Sequence, residues 1–437
     1  MREQFVKKFN SFREGSAKVM LAISNQRYIV VLKNAMPGYV PFTIMGAIVL
    51  LIANFPSQHY LDFMAGVFGA NWQAPLNDLM NGAMNIGSLY VIALIAYEMS
   101  NYHKDRPILP VILSEGIYIY LSQITTVKGV AMIAISEFGA SNMIAAILLG
   151  IIVPELYHFL IGHVPTIKMP ESVPPMIAQP FEALIPILLI FVLAFGVRTL
   201  SAMTPFGTFA AAINGTIGLP MRALSSNIWG YLLAVFFVEL LWSLGIHGNN
   251  VVMSILTPFL LMNSDANRLA FQAGKKLPYI ITNEYFDYFG NVAFYMCIAC
   301  LLIAKAPQLK QVSRLGFIPG LFHISEPLVF GLPIMYNPFL ATEYVLFHVA
   351  GAGLTYFVMH IGLVAPLNGT GVPWTTPMIL HGFLASGGHI STGIWQLVLA
   401  VLYTVGSIPF VRAYDRKLMS DNAKSEREIN ESANDPV

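Results

Sequence analysis

Residues 315–364 read LGFIPGLFHISEPLVFGLPIMYNPFLATEYVLFHVAGAGLTYFVMHIGLV, and no Lys or Arg occurs from Leu315 to Val411. The only carboxylates in that interval are Glu326 and Glu343. So long a run of apolar residues with so little charge needs lipid as its solvent. A transmembrane helix takes about 20 apolar residues. The same pattern occurs upstream, where Asn34 to His103 also lacks Lys and Arg. The whole chain has 437 residues, of which 56% are hydrophobic and 11% charged, with mean hydropathy +0.64. A soluble domain carries about a quarter charged residues. The sequence therefore predicts an all-α polytopic membrane protein.

Spanning segments are expected near 30–54, 79–99, 107–122, 141–162, 180–200, 224–246, 286–304, 340–364 and 390–411. Apolar stretches at 248–262 and 315–336 are broken by Gly, Pro and Asn. They read as further spans or as re-entrant hairpins, so the expected count is about ten. Orientation follows the basic residues of short loops. The first 33 residues hold seven Lys/Arg, and the loop from Phe55 to Asp78 holds none. Lys104 and Arg106 mark the next loop, and Arg412, Arg416 and Lys417 follow the last span. Both termini are thus expected in the cytoplasm, which requires an even number of spans.

Residues 1–27 read as an amphipathic helix, with Phe5, Val6, Phe9 and Phe12 on one face and Lys7, Lys8 and Arg13 on the flanks. Such a helix can lie along a leaflet. Gly, Pro and Thr over 201–222 separate an N-terminal transmembrane part, 28–215, from a C-terminal part, 216–412. The polar tail, 413–437, reads as disordered. No internal repeat is evident. The net charge of +1 gives no reason to expect nucleic acid. There is no phosphate-binding G-x-x-x-x-G-K-[ST] loop, no His/Cys cluster with metal-site spacing and no sign of a resident cofactor. Cys297 and Cys300 have C-x-x-C spacing, but they sit in FYMCIACLLIA and read as buried thiols.

Ionisable and polar groups at membrane depth are costly and usually face a cavity or a partner. The first group ends an apolar span: Glu239-Leu-Leu-Trp242-Ser-Leu-Gly245-Ile-His247-Gly248-Asn249-Asn250. Its backbone cannot continue a lipid-facing helix. Imidazole and amide groups both donate and accept, as sugar hydroxyls do. An indole face can cover the C–H face of a pyranose. Alone, this stretch reads equally well as an interfacial loop with a belt tryptophan. The second group is Phe322-His323-Ile324-Ser325-Glu326-Pro327, continuing to Gly331-Leu-Pro333. Its carboxylate has no basic neighbour in the interval and stands where prolines break the helix, the pattern of a ligand site. The third is Asn368-Gly-Thr370-Gly371-Val-Pro373-Trp374-Thr375-Thr376, a cavity-lining hairpin or a plain external loop. Glu284 and Asp287 adjoin a span and can reach a cavity, though a surface loop is the more frequent answer.

Together these motifs resemble the C component, EIIC, of the phosphotransferase system in its glucose superfamily, nearest the lactose/cellobiose/diacetylchitobiose branch. The resemblance rests on Ile324-Ser325-Glu326-Pro327 with its Phe-Gly-x-Pro continuation, on Trp242…His247-Gly248-Asn249 and on Pro373-Trp374. It implies ten spans, two re-entrant hairpins and a homodimer in the bacterial inner membrane. The N-terminal half is then the dimerisation domain, and the C-terminal half carries the sugar. A β-linked disaccharide, cellobiose or a similar β-glucoside, enters and is phosphorylated at a primary hydroxyl by a separate EIIB chain bearing a phosphocysteine. Glu326 and His247 match the acid and histidine near the reacting hydroxyl. Trp242, Gly248, Asn250 and Trp374 match sugar-contacting positions, and Asn249, Ser325 and Glu284 join them as candidates. Two other classes fit the residues alone. One is an ion-coupled secondary transporter in which Glu326 carries a proton or coordinates Na⁺. The other is a membrane transferase acting on a lipid-linked sugar.

Overall fold

The computed structural model describes residues 25–53, 55, 58–167, 169–170, 173–218, 226–335 and 337–433. The amphipathic helix expected over 1–27 falls, up to residue 24, outside them. The chain divides into two compact units. One comprises Leu21–Ser225 and Ser254–Leu269. The other comprises Ser226–Met253 and the described residues from Ala270 on. The division expected between 215 and 216 lies instead after Ser225, and Ser254–Leu269 also goes with the N-terminal unit. Ser254–Leu269 packs with the N-terminal unit because it carries part of that unit's polar interior, as described below.

The N-terminal unit begins with α1 (Arg27–Ala35). Gln26 caps it, its side-chain oxygen accepting from the backbone N–H groups of Tyr28 and Ile29 at 2.9 and 3.1 Å. The single span expected at 30–54 is broken by a tight turn, Met36–Tyr39, before α2 (Val40–Ala53). Pro37 and Gly38 account for the break. There follow α3 (Gln58–Phe68), α4 (Gln73–Ala83), α5 (Gly87–His103) and α6 (Ile108–Leu121). An antiparallel hairpin, β1 (Ile124–Val127) and β2 (Val130–Ile133), pairs Ile124 with Ile133 and Val127 with Val130. Lys128 and Gly129 turn it with φ of 50° and 81°. Positive φ at both central residues matches the right-handed twist of a two-residue turn. This hairpin departs from the all-α expectation. The unit continues with α7 (Met143–His163), α8 (Pro175–Glu182), α9 (Leu184–Ala202) and α10 (Phe209–Ile213). Its core lies where α5 meets α7. A Cβ on Gly150 would stand 3.1 Å from Ile95 Cβ and 3.2 Å from the Ile92 carbonyl, so the missing side chain lets the two helices close on each other.

The C-terminal unit holds α11 (Ile228–Ser243), the end of α12 (Ser254–Gln272), α13 (Tyr285–Phe289), α14 (Val292–Ile303) and α15 (Pro307–Leu321). It continues with α16 (Glu326–Gly331), α17 (Pro338–His360), α18 (Leu380–Ala385) and α19 (Ile390–Ala433). The expected disorder of 413–437 is not what the described part shows, since α19 runs unbroken through Ala433. The cause is visible at Asp415, which is buried. Its carboxylate accepts from the backbone N–H groups of Lys305, at 3.0 Å, and Ala306, at 2.8 Å. It thereby satisfies donors at the entry to α15.

Among the described residues, five helices are long and apolar enough to cross a bilayer: Gln73–His103, Ala140–His163, Leu184–Ala202, Tyr285–Ile303 and Ile390–Lys424. Ile108–Leu121 and Ile228–Ser243 are shorter apolar helices. The remaining expected spans fall short for local reasons. The segment at 30–54 is interrupted, and α17 carries Glu343 and His348.

Asp415→Ala should cost about 1–3 kcal/mol, the penalty for stranding buried donors. A clear drop in the melting temperature of the detergent-solubilised protein is expected, with Asp421→Ala as the exposed control.

Candidate functional site

In the C-terminal unit, α11 ends where Gly245 turns the chain with φ +77°. The chain then doubles back so closely that a Cβ on Gly248 would lie 2.0 Å from the Val238 carbonyl oxygen. No larger residue fits against backbone at that distance. Gly248 is therefore the contact that folds 245–250 onto α11, a packing duty beside the sugar contact expected of it. The tight return brings the His247 ring to 4.3 Å from the Trp242 ring, tilted by 47°. Trp242 is buried, whereas His247 and Asn250 are exposed and Asn249 is half-buried. The Asn250 N–H donates to the His247 carbonyl at 3.1 Å. A wide helical turn over Asn249–Met253 follows.

The second segment starts where α15 ends. His323 takes φ +63°, the left-handed region that a non-glycine residue seldom adopts. Its N–H bonds the Gly320 carbonyl at 3.1 Å, and the Ile324 N–H bonds the Pro319 carbonyl at 3.0 Å. This reversal presents Ser325 and Glu326, both half-buried, at the start of α16. Pro327 at the first turn favours the helix start. Gly316 and Gly320 let α16 seat on α15, since added Cβ atoms would meet Leu328 side-chain carbons at 2.2 and 3.0 Å. Phe330 lies 6.4 Å from Trp242. It is four residues beyond Glu326 and so lies on the same helical face. Phe330 thus brings α16 near Trp242. The two motifs read separately in the sequence meet through one indole ring.

The third segment is linked less directly. Trp374 is 47% exposed, and among the described residues no aromatic ring is placed against it. Its neighbourhood approaches the second segment through His381, whose ring is 6.3 Å from His323. Glu284 is buried immediately before α13, and Asp287 is half-buried on that helix. Cys297 and Cys300 are both buried, and the Cys297 thiol donates to the Ser313 carbonyl at 3.2 Å. Among the described residues no group of three His, Cys, Asp or Glu side chains is placed to hold a metal ion.

Sequence reasoning passed over several groups. Glu239 on α11 is 1% exposed, and its Oε1 stands 3.6 Å from His348 Nε2 on α17. Tyr344 lies one turn before His348, with ring centroids 4.6 Å apart. Phe286, two residues after Glu284, stacks over His348 at 6.3 Å. The signal was there: an acid three residues before Trp242 and a histidine within an apolar helix are both costly at membrane depth. In the N-terminal unit, Arg268 is 1% exposed and donates to Asn85 Oδ1 at 2.7 Å while pairing with Asp265. This buried cluster is what binds Ser254–Leu269 into that unit.

The family model described as "Phosphotransferase system, EIIC" matches residues 33–347. "Putative permease IIC component YwbA" of Bacillus subtilis is 33% identical, over 90% of this chain and 92% of its own. The "PTS system cellobiose-specific EIIC component" of Geobacillus stearothermophilus is 31% identical, over 90% and 91% respectively. The crystal structure of the transporter ChbC, the IIC component of an N,N′-diacetylchitobiose-specific phosphotransferase system, superposes with a TM-score of 0.88. Its identity is 32%, with 93% of this chain and 98% of that chain covered.

Gly248→Ala should destabilise the C-terminal unit by roughly 1–3 kcal/mol or more, the cost of overpacking against backbone. Gly353→Ala should be neutral or slightly stabilising, because its added Cβ meets only Leu232 carbons at 3.9 Å on a helix. Parallel thermal melts of the two variants check the contrast.

Proposed function

The chain belongs to the EIIC family of the phosphotransferase system, and we propose that it imports a β-linked disaccharide, with cellobiose or a similar β-glucoside foremost. Its integral membrane character and its place as a sugar permease of the cellobiose/lactose type come with the family. The particular sugar, the inner-membrane orientation with both termini cytoplasmic, the two re-entrant hairpins and the homodimer are the further parts of this reading.

One observation carries the assignment of the site. Trp242 lies beside His247 and near Phe330 of α16, the short helix that Glu326 begins, where helices are interrupted. Trp242 supplies a flat apolar surface for a sugar ring. His247, Asn249 and Asn250 supply donors and acceptors on its rim. In this reading Ser325 and Glu326 serve the reacting hydroxyl, and Glu284 and Trp374 serve the second sugar unit. Phosphoryl transfer needs mostly positioning and charge management. In this reading Glu326 accepts or orients the proton of the primary hydroxyl, an effect typically worth ~10²–10⁴-fold. His247, exposed at the edge, meets the incoming phosphoryl group and offsets its negative charge. Both cysteines of this chain are buried, so in this reading the phosphocysteine is supplied by an EIIB component.

Membrane vesicles test the function. Uptake of cellobiose should require a phosphorylated EIIB of the cellobiose type and should yield sugar phosphate. Uptake driven by an ion gradient alone, delivering free sugar, would sink the proposal. Glu326→Gln should abolish phosphorylation yet keep measurable cellobiose binding, and full activity in that variant would remove Glu326 from the mechanism. Trp374→Ala should weaken cellobiose binding by roughly 1–3 kcal/mol if it stacks on the sugar. An unchanged affinity in equilibrium binding would exclude that contact.

A further inference from the structure

Three apolar helices of the N-terminal unit stop or start at one place: α6 ends at Leu121, α7 follows Asn142 and α9 ends at Ala202. All three residues line a cavity of about 450 Å³ that belongs wholly to this unit. Cavities of roughly 300–1,000 Å³ hold small ligands. Because apolar helices stop there, the cavity lies at a boundary of the hydrocarbon layer, where lipid heads begin. Its wall carries one cation, Arg198, and one anion, Glu137. Among the described residues neither is in an ion pair. Neither takes part in the chemistry proposed above.

Both charges are held by neutral groups. Arg198 Nη1 donates to the Tyr120 carbonyl, and the guanidinium carbon stands 5.0 Å from the centroid of the Tyr120 ring. A guanidinium has five N–H donors, and this bond occupies one. The Glu137 carbonyl accepts from the Tyr118 hydroxyl at 3.0 Å and from Asn142 Nδ2 at 2.9 Å. Asn214 Nδ2 in turn donates to Asn142 Oδ1 at 2.9 Å. Tyr118 and Asn142 are buried, so Glu137 stands on a fixed wall. Its carboxylate reaches the Gln123 N–H at 3.5 Å, longer than an ordinary hydrogen bond. Phe195 and Phe191, three and seven residues before Arg198, share its helical face and are exposed. Arg198 therefore heads an apolar stripe open to lipid.

We propose that this cavity binds the phosphoethanolamine head of a membrane phospholipid. Its phosphate sits on Arg198, its ammonium on Glu137, and an acyl chain runs along Phe195 and Phe191. A planar guanidinium can offer a phosphate two parallel N–H groups. A primary ammonium offers a carboxylate three donors. A choline head lacks those donors, and a glycerol head lacks the cation. The bound head bridges α9 to the turn before α7, which makes the lipid a structural ligand of the N-terminal unit.

The test uses the full chain, purified in detergent and stripped of lipid. Short-chain phosphatidylethanolamine, phosphatidylcholine and phosphatidylglycerol are titrated against it, with melting temperature and native mass spectrometry as readouts. The ethanolamine lipid should bind at least about tenfold more tightly than the other two, the worth of one charge-assisted hydrogen bond. Arg198→Gln should weaken it by a similar factor, and Arg198→Lys, which keeps the charge, should lose less. Glu137→Gln should abolish the preference for the ethanolamine over the glycerol head, a change of selectivity that a loosened fold does not produce. Soluble phosphoethanolamine, without chains, should bind far more weakly than the lipid. Equal affinity for the three lipids overturns the proposal, as does an unchanged preference in Glu137→Gln. Soluble phosphoethanolamine binding as tightly as the lipid also overturns it, making the cavity a site for a soluble zwitterion. Displacement of the lipid by cellobiose overturns it in favour of a sugar site. If Arg198→Gln does not fold, the selectivity of Glu137→Gln decides alone.

Discussion

Backbone polar groups freed inside a bilayer must find partners within the protein. The C-terminal unit interrupts its helices repeatedly, and buried side chains from distant segments meet that demand. Gln396 on α19 accepts from the N–H groups of Ile379 and Gly382 at 2.8 and 2.9 Å, and donates to the Tyr288 carbonyl at 2.9 Å. One amide thus satisfies both sides of two breaks. Tyr403 donates to the Phe289 carbonyl at 2.9 Å, just where α13 stops and Asn291 turns the chain with φ +75°. Tyr285 and Tyr288 donate in turn to the carbonyls of Ala352 and Thr392. These bonds tie α13, α17 and α19 into one body. They make broken helices tolerable inside an apolar unit.

Close approach is the second half of the same economy. Gly351 admits the Tyr403 hydroxyl, because a Cβ there would be 1.6 Å from it. Gly382 makes room for Gln396 and Tyr288 in the same way. Gly248 lets the polar turn at 245–250 fold against α11. Without that return, His247 would have no reason to lie beside Trp242. Local chain geometry, dense packing and the site's chemistry are thus linked through residues that have no side chain at all.

Much of this was readable from residue order. Apolar run length located most helices within a few residues, since hydrophobic transfer acts on each segment separately. The interruptions at 245–250 and 322–327 were also legible, because Gly, Pro, Asn and a lone acid are costly in an apolar run. Other features were not. Asp415 sits among Arg412, Arg416 and Lys417 and looks like part of a solvated tail, yet it is buried against the entry to α15. The assignment of Ser254–Leu269 to the N-terminal unit depends on Arg268 finding Asn85, a partner 183 positions away. Glu239 and His348 were passed over, because nothing in their spacing joined an acid on one apolar helix to a histidine on another.

The order of residues by itself determined the solvent, the helical class and the places where helices must break. Each of those follows from the transfer energy and backbone conformation of short segments. Only the tertiary structure decided which breaks pack together, which acid faces which imidazole and which segment joins which unit. Those outcomes depend on side chains meeting across many intervening residues. Such encounters are settled by packing the whole chain at once, and no local preference encodes them.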